Sequence, residues 1–329
     1  MRNVFVLLAV IFYAQVLSAQ ITNNDFFLLN SKIPKDSVEL FGDGIISTHR
    51  NEYNITFSPD GTLIMFTIAN NTNANRFYTI FLCEKKNGKW DTPKVAPFSG
   101  LFSDADPFFS PDGKSVYFIS TRSTSNNVND VKTDFDIWAV SYKNKIFGIP
   151  KHLGNSVNSN KDELYPTVSI KGNLFFSTEN GTNGYDLMFS RFEDNSYKKP
   201  IALSDSINTK TTEFDAFVAP DESYIIYTSM GDENNFGSGD LYISFKNKDN
   251  WTKGKNIGKK VNTIHMDQCP VVLNNGRYLF FTSFRDTQPY NFEKPVTTKE
   301  YLKILDSPLN GLGNIFCVDL ADMLKGLKE

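Results

Sequence analysis

Apolar and polar positions in this chain come in short alternating runs, and the runs come in pairs. Residues 54–68 read NITFSPDGTLIMFTI, and residues 105–122 read ADPFFSPDGKSVYFISTR. Each places a β-branched and aromatic run on either side of Pro-Asp-Gly, the pattern of two strands joined by a tight turn. Three more copies follow as TVSIKGNLFFST, FVAPDESYIIYTS and VVLNNGRYLFFTS. Anchored on Gly61, Gly113, Gly172, Glu222 and Gly276, the copies are spaced by 52, 59, 50 and 54 residues.

A third apolar run follows each hairpin: FYTIFL, DIWAV, DLMFS, DLYIS and NIFCV, three of them opening on an acid at Asp136, Asp186 and Asp240. A turn with an aromatic or large apolar residue comes next. A short fourth strand then ends in a recurrent phrase, LGNSVNS from Leu153, LSDSINT from Leu203 and IGKKVNT from Ile257. Sheets of four antiparallel strands, each unable to bury both faces alone, predict an all-β, five-bladed β-propeller. The segment FGDGIIS, Phe41 to Ser47, matches the fourth-strand phrase but follows no first three strands. It is expected to complete the last blade and close the ring, which removes the exposed sheet edges.

Composition limits the other readings. The chain has 329 residues, 40% apolar and 14% aromatic, with a formal net charge of -3, so nucleic acid and anionic membrane surfaces are poor partners. Residues 1–19 read as a signal peptide cleaved near Ala19–Gln20, and no later run has the ~18 apolar residues of a membrane span. This predicts an exported protein, periplasmic or secreted. Residues 20–35 are then an N-terminal segment, 36–320 the propeller and 321–329 a tail. Cys83, Cys269 and Cys317 are too few for a disulfide framework and are expected as buried thiols.

The phrases FSPDGKSVYFISTR with DIWAV, and VNSNKDELYPTVSIKGNLFFSTENG with YDLMFS, resemble the TolB-type, WD40-like propeller repeat over about residues 36–320. Such repeats are common in secreted and periplasmic bacterial proteins. The resemblance implies a propeller fold, and it extends distantly to oligogalacturonate-lyase-like enzymes. It leaves function open, because one fold hosts many chemistries.

Strand direction places the loops between second and third strands, and those entering each blade, on one upper face. Nine residues before each turn residue stands an acid: Glu52, Asp104, Glu163, Glu213 and Asp267. These are candidate rim ligands or ties between loops. Arg122 and Arg285 follow second strands and reach the same face, Arg50 adjoins His49, and Lys161 enters the third blade. His49 and His265 belong to the first and last blades, which closure makes neighbours, whereas His152 reads as a surface residue. Tyr165 stands in a column that elsewhere holds Asn54, Asp106, Asp215 and Cys269. A long connection, 284–313, lies on the same face, with Thr297–Leu305 patterned for a short helix.

No phosphate loop, zinc spacing or nucleophile elbow is present. No cofactor is required, and a divalent cation such as calcium in the Asp- and Asn-rich loops is left open, since turn chemistry explains them equally. The expected activity is β-elimination on acidic (uronic-acid) oligosaccharides. In that scheme His49 or His265 acts as base, Tyr165 or the other histidine as acid, and the cations neutralise the sugar carboxylate. Hydrolysis by two of the rim carboxylates is the close variant. A non-catalytic binding or assembly module of the bacterial envelope, with a protein partner, is the alternative.

Overall fold

The structure is a computed structural model that describes residues 37–70, 76–125, 129–181, 184–273, 276–287 and 292–328. The expected signal peptide and the segment to residue 35 lie outside these residues.

Each hairpin turns where its anchor residue holds a left-handed backbone: φ is 67° at Gly61, 68° at Gly113, 85° at Gly172, 61° at Glu222 and 89° at Gly276. Glycine takes this conformation at no steric cost, and glutamate does not. Glu222 is compensated by its side chain, which accepts from Ser169 Oγ (2.8 Å), Asn173 Nδ2 (2.7 Å) and Lys171 Nζ (3.1 Å). These bonds tie the fourth hairpin to the third.

The hairpins and their third and fourth strands form five antiparallel sheets. Their innermost strands are Asn51–Phe57, Asp104–Phe109, Glu163–Val168, Thr212–Val218 and Asp267–Leu273. The fifth blade takes its outermost strand from the beginning of the chain. Glu39 pairs with Cys317 and Leu40 with Phe316, and the Phe41 N–H donates to the Ile315 carbonyl at 2.8 Å. The ring is therefore closed as the repeat phrase predicted.

The recurrent phrase has a mechanical role. Asn158, Asn208 and Asn262 each clamp one third-strand residue, accepting its N–H and donating to its C=O, at Ile137, Leu187 and Leu241. Ser47 does the same to Ile315 in the closing blade, with bonds of 3.0 and 3.1 Å. Between the last and first blades Phe41, Ile46, Phe57, Phe66 and Phe280 form a buried cluster, and similar apolar layers separate the other blades. The three cysteines are free and buried.

His152 departs from the surface placement expected of it. Its ring packs edge-on against Trp138 and bonds to Asp136 and Asn158, because the acid that opens the third strand draws it inward. Within the long connection, Thr298–Leu305 is helical, as patterned, with Thr297 and Glu300 forming a reciprocal cap. Among the described residues no helix is long and apolar enough to cross a membrane.

Candidate functional site

Every innermost strand contains a bulge at the same level. The register shifts after Tyr53, Ala105, Leu164, Phe214 and Gln268. The next residue is left-handed in each case: φ is 41° at Asn54, 52° at Asp106, 51° at Tyr165, 51° at Asp215 and 54° at Cys269. Asparagine and aspartate tolerate this conformation, whereas a tyrosine or cysteine held there costs about 1–3 kcal/mol. The bulge breaks the alternation and gathers these five residues around the channel axis.

The ring they form is hydrogen-bonded around its circumference. The N–H groups of Asn54, Asp106 and Asp215 donate to Thr282, Thr67 and Ser177 of the preceding blade. The Tyr165 N–H donates to Asp106 Oδ2 at 3.2 Å, and the Cys269 thiol donates to Asp215 Oδ2 at 3.1 Å. Tyr165 then spans the channel, its hydroxyl donating to the Pro270 carbonyl at 3.0 Å. Just below, Phe108 and Phe217 meet from non-adjacent blades with ring centroids 6.4 Å apart. The channel is thereby stopped at this level.

Above that floor opens a cavity of about 580 Å³. One wall is a belt of rings in edge or tilted contact: Phe284 with Tyr53 (5.7 Å), Tyr53 with Tyr78 (6.0 Å) and Tyr78 with Phe135 (6.0 Å). Arg76 also lines the cavity and donates to the Tyr78 hydroxyl at 3.1 Å. Asp162 lines the cavity next to the end of this belt, accepting from the Phe135 N–H at 2.8 Å. Its volume and mixed lining are those of a small-molecule site (roughly 300–1,000 Å³, mostly apolar with a few placed polar groups).

Two carboxyls stand in the floor, Asp106 and Asp215, from the blades that flank Tyr165. Burial raises both above the usual carboxylate range. For Asp106 the rise is opposed by donors, the Tyr165 N–H and the Asn54 side chain. For Asp215 it is reinforced by repulsion from Asp106 and opposed by the thiol and N–H of Cys269. Both acids therefore keep their protons to higher pH than an exposed carboxyl does, and the charge of one disfavours ionisation of the other.

The residues singled out from sequence fall elsewhere, with one exception. Glu52, Asp104, Glu163, Glu213 and Asp267 are all buried, at 0–1% exposure. Four of them accept from the N–H and hydroxyl of a Thr or Ser four residues earlier: Thr48, Ser159, Thr209 and Thr263. Three of these hydroxyls end the recurrent phrase. Asp104 instead receives Arg122 at 2.6 Å, and Arg285 joins Asp267 at 3.0 Å. Both guanidiniums also donate to a backbone carbonyl, of Phe98 and Val261, and lie over aromatic rings. These seven groups fasten each blade to the connection that enters it and lie outside the cavity lining.

His49 and His265 do share one patch. The His49 carbonyl accepts from Asn310 at 3.1 Å, His265 Nε2 is 4.0 Å from Asp286, and Asp286 bridges to Asn310. That patch borders the long connection, and neither imidazole lines the cavity. Arg50 is exposed beside His49, and Lys161 donates to the Glu179 carbonyl at 2.9 Å. Tyr165 is the exception in part: it belongs to the ring of bulge residues beneath the cavity, but at 1% exposure, with its hydroxyl 3.0 Å from the Pro270 carbonyl, it does not line the cavity itself.

Sequence reasoning passed over Asp106, Asp215, Arg76 and the aromatic belt. The signal was available in the column itself: a position two residues past each rim acid, holding Asn, Asp, Tyr, Asp and Cys in strands otherwise built of β-formers. Among the described residues no group of three or more His, Cys, Asp or Glu is placed to hold a metal ion. Asp232, in one of the Asp- and Asn-rich loops, accepts from Asn234 and from the Tyr242 hydroxyl.

No protein-family model matches the chain, and no curated protein matches it in sequence. Among solved structures it is similar to a glycoside hydrolase, with TM-score 0.53 and 12% identity, over 83% of this chain and 98% of the other. It is similar also to BT0996, solved as a complex with RGII, with TM-score 0.53 and 12% identity, over 84% of this chain and 100% of that one. TolB from Acinetobacter baumannii aligns with TM-score 0.47 and 16% identity over 74% of this chain, which spans 50% of that TolB protein. At such identities the likeness is one of fold alone: the five repeats of this sequence build a five-bladed β-propeller, and the two structures at TM-score 0.53 share its architecture.

Proposed function

We propose that this protein is an exported carbohydrate-active enzyme that cleaves glycosidic bonds in the cavity above Tyr165. The observation that carries the reading is the placement of two carboxyls, Asp106 and Asp215, in the floor of an aromatic-walled pocket. Aromatic faces suit the apolar faces of sugar rings, and paired carboxyls are the groups glycoside cleavage needs. Asp215, buried and repelled by Asp106, is the proton donor to the departing oxygen. Asp106, held by the Tyr165 N–H and Asn54, is the ionised partner that activates water or attacks the sugar carbon. The glycoside hydrolase of similar fold supports a carbohydrate ligand.

Acidic oligosaccharides are the proposed substrate class. Arg76, fixed against Tyr78 on the cavity wall, is the cation placed to receive a sugar carboxylate. Arg50, exposed beside His49 in the patch that also holds His265, keeps elimination as the second reading, with the sugar carboxylate on Arg50 and His49 or His265 drawing the proton there. One experiment separates the two. The protein is incubated with polygalacturonate, alginate, rhamnogalacturonan, xylan and arabinan, while reducing ends and ultraviolet absorbance are followed together. Hydrolysis predicts new reducing ends without new absorbance, and elimination produces both in step. Unchanged chromatograms for all five glycans would refute cleavage and leave a binding module.

A further inference from the structure

We propose that the cavity accepts the terminus of a glycan chain, so that cleavage releases a short product from one end and not from the interior. The inference rests on the reading of Asp106 and Asp215 as the acid and its partner, and it follows from where those groups lie.

The pair stands at the bottom of the pocket. Beneath it the Tyr165 side chain crosses to Pro270, and Phe108 meets Phe217 across the axis. The residues level with Phe108 and Phe217 on the other innermost strands are buried as well: Thr56 at 3%, Thr167 at 0% and Val271 at 2% exposure. A glycan that entered from the upper face therefore has no exit along the propeller axis. A glycan lying across the upper face would present its internal linkages to the rim. There it meets His49, Arg50 and the Asp286–Asn310 bridge, with the carboxyl pair deeper in the cavity.

The walls reinforce the restriction. The belt of Phe284, Tyr53 and Tyr78 rises directly above the floor on the side of the first and last blades. Phe284 is also the first residue of the long connection, whose Asn310 bonds to the His49 carbonyl on that same side. For a linkage to reach Asp106 and Asp215, sugar must descend past these rings. A terminus can do so with one strand of glycan in the opening, whereas an internal linkage needs two.

The test uses the full-length protein and the five glycans named above. With the wild-type protein, the size distribution of products is followed from the earliest time points. Terminal action predicts mono- or disaccharides from the start, with the mean length of the remaining polymer falling slowly. With the Asp215→Asn variant, binding is titrated on equal masses of intact polymer and of polymer cut by mild acid. Cutting the polymer to about a tenth of its length raises the number of sites about tenfold if termini are what the pocket takes. An early ladder of intermediate lengths, or a number of sites that follows mass and ignores termini, would overturn the inference while leaving the cleavage reading intact. Absence of both cleavage and binding for every glycan would overturn the cleavage reading, and the inference with it.

Discussion

Ring closure by the segment that contains Phe41 lends itself to a quantitative test. Phe41 is 0% exposed and lies edge-on to Phe280 at 5.0 Å and to Phe57 at 6.0 Å. The closing strand has few other attachments: two paired residues, the Phe41 N–H to Ile315, and the Ser47 clamp. Replacing a buried phenylalanine with alanine removes its transfer free energy and leaves a cavity, for a cost of about 3–5 kcal/mol. Each lost edge contact, worth about 0.5–1.5 kcal/mol, lies within that figure. Phe41→Ala is therefore expected to lose about 3–5 kcal/mol in equilibrium urea unfolding, followed by circular dichroism and by fluorescence. Ile149→Ala, at a site 84% exposed, should stay within about 0.5 kcal/mol of the parent protein. A Phe41→Ala protein as stable as the Ile149→Ala control would refute the claim that this segment fastens the ring.

The remaining predictions concern the rim, the floor and the histidines. Burial pushes Glu163 up to about 7, so the native state binds its proton more tightly than the unfolded chain does. Its contribution is fully present below the unfolded value of about 4.3 and is lost as pH rises through about 7. Glu163→Gln should flatten the fall in stability across that window, and an unchanged slope in urea midpoints against pH would contradict it. Tyr165→Phe leaves the Pro270 carbonyl without its donor and should cost about 1–3 kcal/mol while turnover, if hydrolytic, persists. A collapse of turnover in folded Tyr165→Phe protein would instead return the hydroxyl to the chemistry. His49→Ala with His265→Ala should retain turnover within about tenfold under hydrolysis, whereas elimination predicts a loss of roughly 10²–10⁴.

The fold was legible because each blade repeats its signals at a fixed offset. The turn anchors were identifiable even at Glu222, where the neighbouring Ser, Lys and Asn residues of the third hairpin offset a conformation glutamate avoids. The phrase ending in Asn-Ser or Asn-Thr marked the fourth strand, and its matching copy at Phe41–Ser47 marked the closure. The site was less legible for a physical reason. The rim acids repeat in every blade because each completes a local cap or an ion pair within its own blade, so their regularity reported on assembly. The functional candidates sit one bulge deeper, where alternation fails and the pattern that locates strands no longer tells which way a side chain points. Tyr165 belonged to that column, yet its length carries the hydroxyl across the axis to Pro270, which no spacing in the sequence discloses. The aromatic belt draws on the first two blades and on the first residue of the long connection from the last, positions that only the closed ring brings together.

Turnover of Asp215→Asn beside Glu213→Gln, both confirmed folded by circular dichroism, tests the central assignment most directly. The two acids are two residues apart on one strand, one in the floor of the cavity and the other sealed beneath Thr209 and Thr211. On any glycan the parent protein cleaves, Asp215→Asn should lose roughly 10²–10⁴ in rate while Glu213→Gln keeps most of it. Equal activity in the two variants, or a loss confined to Glu213→Gln, would place the chemistry at the rim and contradict the account.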